Sequence, residues 1–317
     1  MKTILATIAA LLLCLPVKAQ LEGLVRIAAA CMRSNPGHSN ELVSQAVMGT
    51  PLKLIEKQDG WWLTETPDGY QGYIISNSIQ AIDSASMDRW RKAERVMYTG
   101  VYTTRIVSPD GRGIPVSDIH PGSVLEVTGH NVADSLDVKL PDGRRGRMAS
   151  ARLKPLETMG LDEPDTDEII DMARALMGVS YLWGGTTTAA MDCSGLVKVC
   201  YLNQGLILER DAGPQAASGT PLGPDWHNYQ RGDLIFFVSE TTGNIVHVAI
   251  YDHDGIYVHS SGRVRVSSLD PDSPIASTQG FTGIACRIAG NTGTPGITAV
   301  AHSPAYFPRD KACESTE

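Results

Sequence analysis

Three residues of this 317-residue chain have the types and settings that acyl transfer needs. Cys193 lies in Asp192-Cys193-Ser194-Gly195, where a loop gives way to a helical pattern that runs to about Asn203 and ends at Gly205. A cysteine at a helix N-terminus meets free N–H groups and the positive end of the dipole. Both favour the thiolate, which is the nucleophile. Cys200, two turns further on between Val199 and Tyr201, reads as a core residue. Cys193 alone would invite the same structural reading, because free cysteines are among the most buried residues. His247 and His259 change the balance. They lie in two strand-like runs, Val246–Tyr251 and Ile256–Ser260, joined by Asp252-His253-Asp254-Gly255, a turn by composition. A hairpin that pairs Tyr251 with Gly255 sets the two histidines directly opposite each other, with Cβ atoms ~5 Å apart. Cys193 as nucleophile, His247 as base and His259 as orienting group then make a complete set. Zinc held by His247, His253 and His259 fits less well, because His253 falls in the turn and no HExxH is present.

The elements that must carry these residues begin near residue 160. Asp165 with Glu168 three residues on predicts a helix start, with Ile169, Met172, Ala173 and Leu176 at helical spacing and Gly178 as its stop. The Cys193 helix follows. Strands are expected at Asp233–Val238, Val246–Tyr251, Ile256–Ser260, near Arg263–Val266 and at Gly283–Ile288. Helices followed by antiparallel strands make an α+β unit. Residues 22–83 read instead as about five short strands (Leu24–Ala30, Leu52–Ile55, Trp61–Thr64 and Gly72–Ile75 among them), with Asp59-Gly60 and Asp68-Gly69 as hairpin turns. Residues 96–156 repeat that style, with strands at Val101–Val107, Val124–Val127, Asp137–Leu140 and Gly146–Ser150. Two small barrels are expected, joined by a charged helix over Ser84–Arg95. Residues 291–317 read as a covering tail.

Composition sets the context. The formal net charge is −8, against a nucleic-acid partner, which requires clustered positive charge. Lys2, the apolar run Ile4–Val17 and Ala19 before Gln20 make a secretory leader over residues 1–19. The run is too short to span a bilayer, and no other is long enough. Leu13 before Cys14 argues against lipidation. Loss of Lys2 and Lys18 with the leader takes the net charge from −8 to −10. Loss of Cys14 leaves Cys31, Cys193, Cys200, Cys286 and Cys313, an odd number, so at least one thiol stays free within a monomer.

Ordered blocks carry a family resemblance. Tyr181-Leu-Trp183-Gly184-Gly185, Asp192-Cys193-Ser194-Gly195, Arg210-Asp211 with Gln215, Arg231-Gly232-Asp233-Leu234, His247-Val-Ala-Ile-Tyr251 and His259 resemble the NlpC/P60 family of cell-wall cysteine peptidases over roughly residues 160–290. Met32-Arg33-x-x-Pro36, Glu41–Gln45 and Asp68-Gly69-Tyr70-x-Gly72 resemble the first bacterial SH3 domain of its multi-domain members. The middle barrel resembles a second SH3 domain only weakly. The resemblance implies a leader (1–19), a first SH3b domain (20–83), a linker helix with a second SH3b domain (84–156), a papain-like catalytic domain (157–290) and a tail packed on it (291–317).

The resemblance also implies chemistry. Cys193, His247 and His259 would cleave γ-D-glutamyl–diamino acid bonds of peptidoglycan peptides with a free N-terminal L-Ala, the diamino acid being meso-diaminopimelate or Lys. The Cys193 N–H and the Tyr181 hydroxyl would face the oxyanion. Asp192 would pair with the substrate ammonium and Ser194 would hydrogen-bond the peptide. Glu41 and Tyr70 would close the far end of the cleft, with Arg210 and Asp211 shaping its wall. Ala212 stands where some relatives carry Ser. No metal or cofactor is expected, and the chain would act as an exported monomer in the periplasm or cell envelope. An N-acetylmuramoyl-L-alanine amidase or an acyltransferase could use the same Cys–His pair. A non-catalytic wall-binding protein is the alternative of another class.

Overall fold

The structure is a computed structural model that describes residues 21–131, 134–277 and 283–308. The expected leader with Cys14, and Cys313 in the expected tail, lie outside the described residues.

Seven strands form the first antiparallel sheet: β1 (Leu21–Val25), β2 (Ala29–Arg33), β3 (Leu42–Val47), β4 (Pro51–Gln58), β5 (Trp61–Glu65), β6 (Gln71–Ile75) and β7 (Ile79–Ile82). Their order is β3-β2-β6-β5-β4-β1-β7. The single strand expected over Leu24–Ala30 is two strands, because the chain turns at residues 26–28 inside an apolar run that carries no Gly or Pro. Asp59 (φ 48°) and Gly60 (φ 81°) make the expected hairpin turn, both in the left-handed region that a two-residue turn matched to strand twist requires.

Helix α1 (Ser84–Lys92), capped by the Asp83 side chain, leads to a second antiparallel sheet. Its strands are β8 (Arg95–Tyr98), β9 (Thr104–Val107), β10 (Pro115–Ile119), β11 (Val124–Asn131), β12 (Ser135–Lys139), β13 (Arg145–Ala149) and β14 (Leu153–Pro155). The order β10-β9-β13-β12-β11-β8-β14 repeats that of the first sheet strand for strand. Strands β8, β10 and β14 add to the four expected over residues 96–156.

The remainder is α+β. Helix α2 (Thr166–Ala175) starts where Asp165 accepts from the N–H groups of Asp167 and Glu168. A two-stranded ribbon, β15 (Thr186–Thr187) and β16 (Ala190–Met191), leads into α3 (Cys193–Asn203). Then come β17 (Leu206–Leu208), the short α4 (Ala212–Ala216) and β18 (Thr220–Leu222). Strands β19 (Leu234–Val238), β20 (Ile245–His253), β21 (Ile256–Ser261), β22 (Arg263–Ser268) and β23 (Ile284–Arg287) follow. The main sheet runs β18-β23-β19-β20-β21-β22. Helices α2 and α3 bury Ile169, Ala173, Leu196 and Cys200 against Phe236, Val248, Ile250 and Val258. Strand β24 (Ile297–Ala299) pairs with β17, and the segment after it buries Val300, Tyr306 and Phe307 among Leu24, Trp90, Met97 and Val124. This second core ties both small sheets, α1 and the C-terminal segment together. Arg95 lies between the rings of Trp90 and Phe307, 4.5 and 4.7 Å from their centroids.

Candidate active site

Helix α3 begins at Cys193 because Asp192 caps it, its Oδ1 accepting from the Gly195 N–H at 2.7 Å. Gly195 must be glycine: a Cβ there would stand 2.1 Å from the Gly185 carbonyl oxygen. The helix start thus fits tightly against the Gly184-Gly185 loop. The Asp192 carboxylate is fully engaged. It also accepts from the Gly184 N–H at 2.9 Å, the Ser194 hydroxyl at 3.2 Å and the Arg210 guanidinium at 2.6 and 3.2 Å. Arg210 is 2 % exposed and Asp192 5 %. The carboxylate expected to meet a substrate ammonium thus also neutralises a buried arginine. The Ser194 hydroxyl belongs to the same cluster, donating to Asp192 and accepting from Arg210 at 2.8 Å.

The histidines sit in the expected hairpin with a different register. Asp254 (φ 47°) and Gly255 (φ 77°) form the turn, so His253 faces Ile256. A bulge at Asp252 then shifts the ladder, and Tyr251 pairs with Tyr257 and Ile250 with Val258. Tyr251 does not pair with Gly255, so His247 lies diagonal to His259 rather than opposite it. The two-residue offset preserves the face. Without the bulge the pairing would slip by one residue and send the histidines to opposite faces. Asp252, 1 % exposed, is held by Arg174 and, at 3.2 Å, by Arg231. His247 Nε2 and His259 Nδ1 are 2.8 Å apart, and His259 Nε2 is 3.1 Å from the Ser267 hydroxyl on β22. One tautomer assignment satisfies both contacts with Ser267 as acceptor: His259 Nε2–H donates to Ser267 and its Nδ1 accepts from His247 Nε2–H. That leaves His247 Nδ1 as a free base.

The β20–β21 ladder stops at Ile250–Val258. The N-terminal end of α3 meets the strands beyond that point. The Ser260 hydroxyl donates to the Met191 carbonyl at 2.8 Å, and the Val248 N–H, next to His247, donates to the Cys193 thiol. Burial pushes the Cys193 thiol up, and the nearby Asp192 charge adds to this, against the donations from Val248 and Ser194. Burial pulls His247 down to about 4 and His259 down to about 3, with Arg265 adding to the effect on both. Desolvation thus opposes the thiolate that the helix dipole favours, and it disfavours the imidazolium as well. The Tyr181 hydroxyl is pushed up to about 12 by burial and then by Cys193, so it stays a proton donor beside the thiol.

The first sheet meets this loop. Glu41 accepts from the Trp183 indole N–H at 2.7 Å, and Trp183 is 61 % exposed, on the surface rather than in the core. Gln45 receives the Thr186 N–H at 3.0 Å, and the Ser44 hydroxyl receives Arg210 Nε at 3.1 Å. Lys198 of α3 pairs with Asp68. Partial burial raises the Tyr70 hydroxyl, and the Asp211 charge adds to the effect. Asp211 has no capping bond to α4, and desolvation lifts its carboxyl above the ordinary range despite Arg210. Gln215 donates to the Ser194 and Glu209 carbonyls at 3.3 and 2.9 Å, bracing the wall behind α3. Sequence reasoning missed Ser267, Arg265 and Asp252. Only the alternation along β22 carried a signal for the first two.

Residues 178–281 match the NlpC/P60 family, and residues 29–80 match the bacterial SH3 domain. The chain thus carries an NlpC/P60 domain, a papain-like unit, with a bacterial SH3 domain ahead of it. Over 257 residues it is 28 % identical to dipeptidyl-peptidase 6 of Lysinibacillus sphaericus, covering 78 % of this chain and 91 % of that protein. Over 244 residues it is 25 % identical to the gamma-D-glutamyl-L-lysine dipeptidyl-peptidase of Bacillus cereus, covering 74 % and 72 %. The crystal structure of an NlpC/P60 family protein from Bacillus cereus shares the fold with a TM-score of 0.72 at 20 % identity, over 84 % of this chain and 99 % of that one.

Proposed function

We propose that this chain is a cysteine peptidase that hydrolyses the γ-D-Glu–diamino acid bond of peptidoglycan peptides bearing a free N-terminal L-Ala. The observation that carries the reading is the relay from His247 Nε2 through His259 to Ser267, built beside a cysteine at a helix start. His247 Nδ1 takes the Cys193 proton as sulfur attacks the γ-carbonyl of D-Glu. The Cys193 N–H and the Tyr181 hydroxyl face the oxyanion. The C–N bond breaks as His247 returns the proton to the leaving amine. Water then hydrolyses the thioester, yielding L-Ala-D-Glu and restoring the thiol. At the far end, Asp211, Tyr70 and Glu41 receive the ammonium of L-Ala. Asp211 gains most, because a cation relieves the desolvation and the repulsion from Asp192 and Asp68 that raise its pKa. The relatives named as dipeptidyl-peptidases support this substrate class. The leader expected over residues 1–19 suits work in the periplasm or envelope, and among the described residues no helix is long and apolar enough to cross a membrane.

Mass spectrometry of products from L-Ala-γ-D-Glu-meso-diaminopimelate tests the reading. Release of L-Ala-D-Glu is expected, and an intact peptide would contradict it. Because burial disfavours the His247 imidazolium, the base stays competent as pH falls, and the acid limb of kcat/KM is expected near 4. A limb at ~6.5, the ordinary histidine value, would mean a solvated base.

A further inference from the structure

Arg265 has no role in the relay, yet it stands beside it. On β22 it is paired directly with His259 across the β21–β22 ladder, on the same face as His259 and Ser267. It is exposed, and among the described residues its guanidinium makes no hydrogen bond or ion pair. Its charge reaches both His247 and His259 and disfavours their protonation. Without a carboxylate partner among the described residues, its charge works against the imidazolium that must form during attack. The arrangement makes sense when a substrate anion lies over the guanidinium during turnover. The leaving diamino acid supplies that chemistry: an α-carboxylate when it ends the peptide, and a second, side-chain carboxylate in meso-diaminopimelate.

We propose that Arg265 binds a carboxylate of the leaving diamino acid, an assignment that rests on the γ-D-glutamyl peptidase reading above. Pairing offsets the charge felt by the histidines, so a bound leaving group also eases protonation of His247. Arg suits the task because its planar fork matches a carboxylate in two hydrogen bonds.

The test compares the wild-type chain with Arg265→Gln and Arg265→Lys on L-Ala-γ-D-Glu joined to meso-diaminopimelate, to L-Lys, and to L-Lys amide. Arg265→Gln is expected to lower kcat/KM on the meso-diaminopimelate peptide by about 10- to 100-fold, the value of a charge-assisted hydrogen bond. On the amide the drop is expected to be much smaller, and Arg265→Lys should recover part of the loss. The L-Lys peptide identifies the carboxylate: a drop like that on meso-diaminopimelate assigns the α-carboxylate, and a drop like that on the amide assigns the side-chain one. Equal drops on all three peptides with Arg265→Gln, or no drop on any, would overturn the assignment. Failure of the wild-type chain to cleave all three would overturn the peptidase reading itself, and this inference with it.

Discussion

The two seven-stranded sheets share one strand order and meet the same helix at different ends. The first faces the start of α3 and its loop through Glu41, Ser44, Gln45 and Asp68, which hold Trp183, Arg210, Thr186 and Lys198. The second meets the far ends of α2 and α3: the Tyr102 hydroxyl donates to the Ala175 carbonyl at 2.5 Å, and Asn203 donates to the Gly100 carbonyl at 3.4 Å. The first sheet supplies side chains to the neighbourhood of Cys193, whereas the second braces the opposite ends of the helices. One topology thus serves two purposes, and the difference lies in which loops face the cleft.

Several substitutions can break or sharpen that contrast. Cys193→Ala should lower turnover at least ~10⁴-fold while leaving the fold intact, as for loss of a nucleophile in a coupled set; retained activity in a product assay would remove Cys193 from the mechanism. Arg210→Met strips the partner from a buried Asp192 and should destabilise the chain by about 3–5 kcal/mol in denaturant unfolding. The corresponding test in the second sheet is Lys139→Met, which breaks the partly exposed pair with Glu126 and should cost about 0–1 kcal/mol. Equal costs would erase the contrast. Glu41→Gln should raise KM for a free-amine tripeptide about tenfold, the equivalent of roughly 1.4 kcal/mol of binding. Tyr102→Phe should leave KM unchanged, and a KM shift there would bring the second sheet into the site.

What the sequence made legible was local. Asp165 and Gly178 bound α2, and Asp192 and Gly205 bound α3, because caps and stops act within a few residues. The histidine face was legible through the period of two along a strand, which survives an even shift in register. The register itself was not, because it depends on a bulge at Asp252 held by Arg174 and Arg231, residues 78 positions before it and 21 before it. The Arg210 contact of Asp192 was hidden for a similar reason. A carboxylate beside the nucleophile reads as available until Arg210 is seen folded onto it. Burial also acts on the Cys193 thiol, and the helix-dipole argument does not contain it.

The central claim is that the first sheet and the cysteine unit together form a site for a peptide that begins with a free amine. The direct measurement is the rate of L-Ala-D-Glu release from L-Ala-γ-D-Glu-meso-diaminopimelate beside the rate for the same peptide acetylated at its N-terminus. The account predicts cleavage of the free-amine form and little or none of the acetylated one. Equal rates would contradict it.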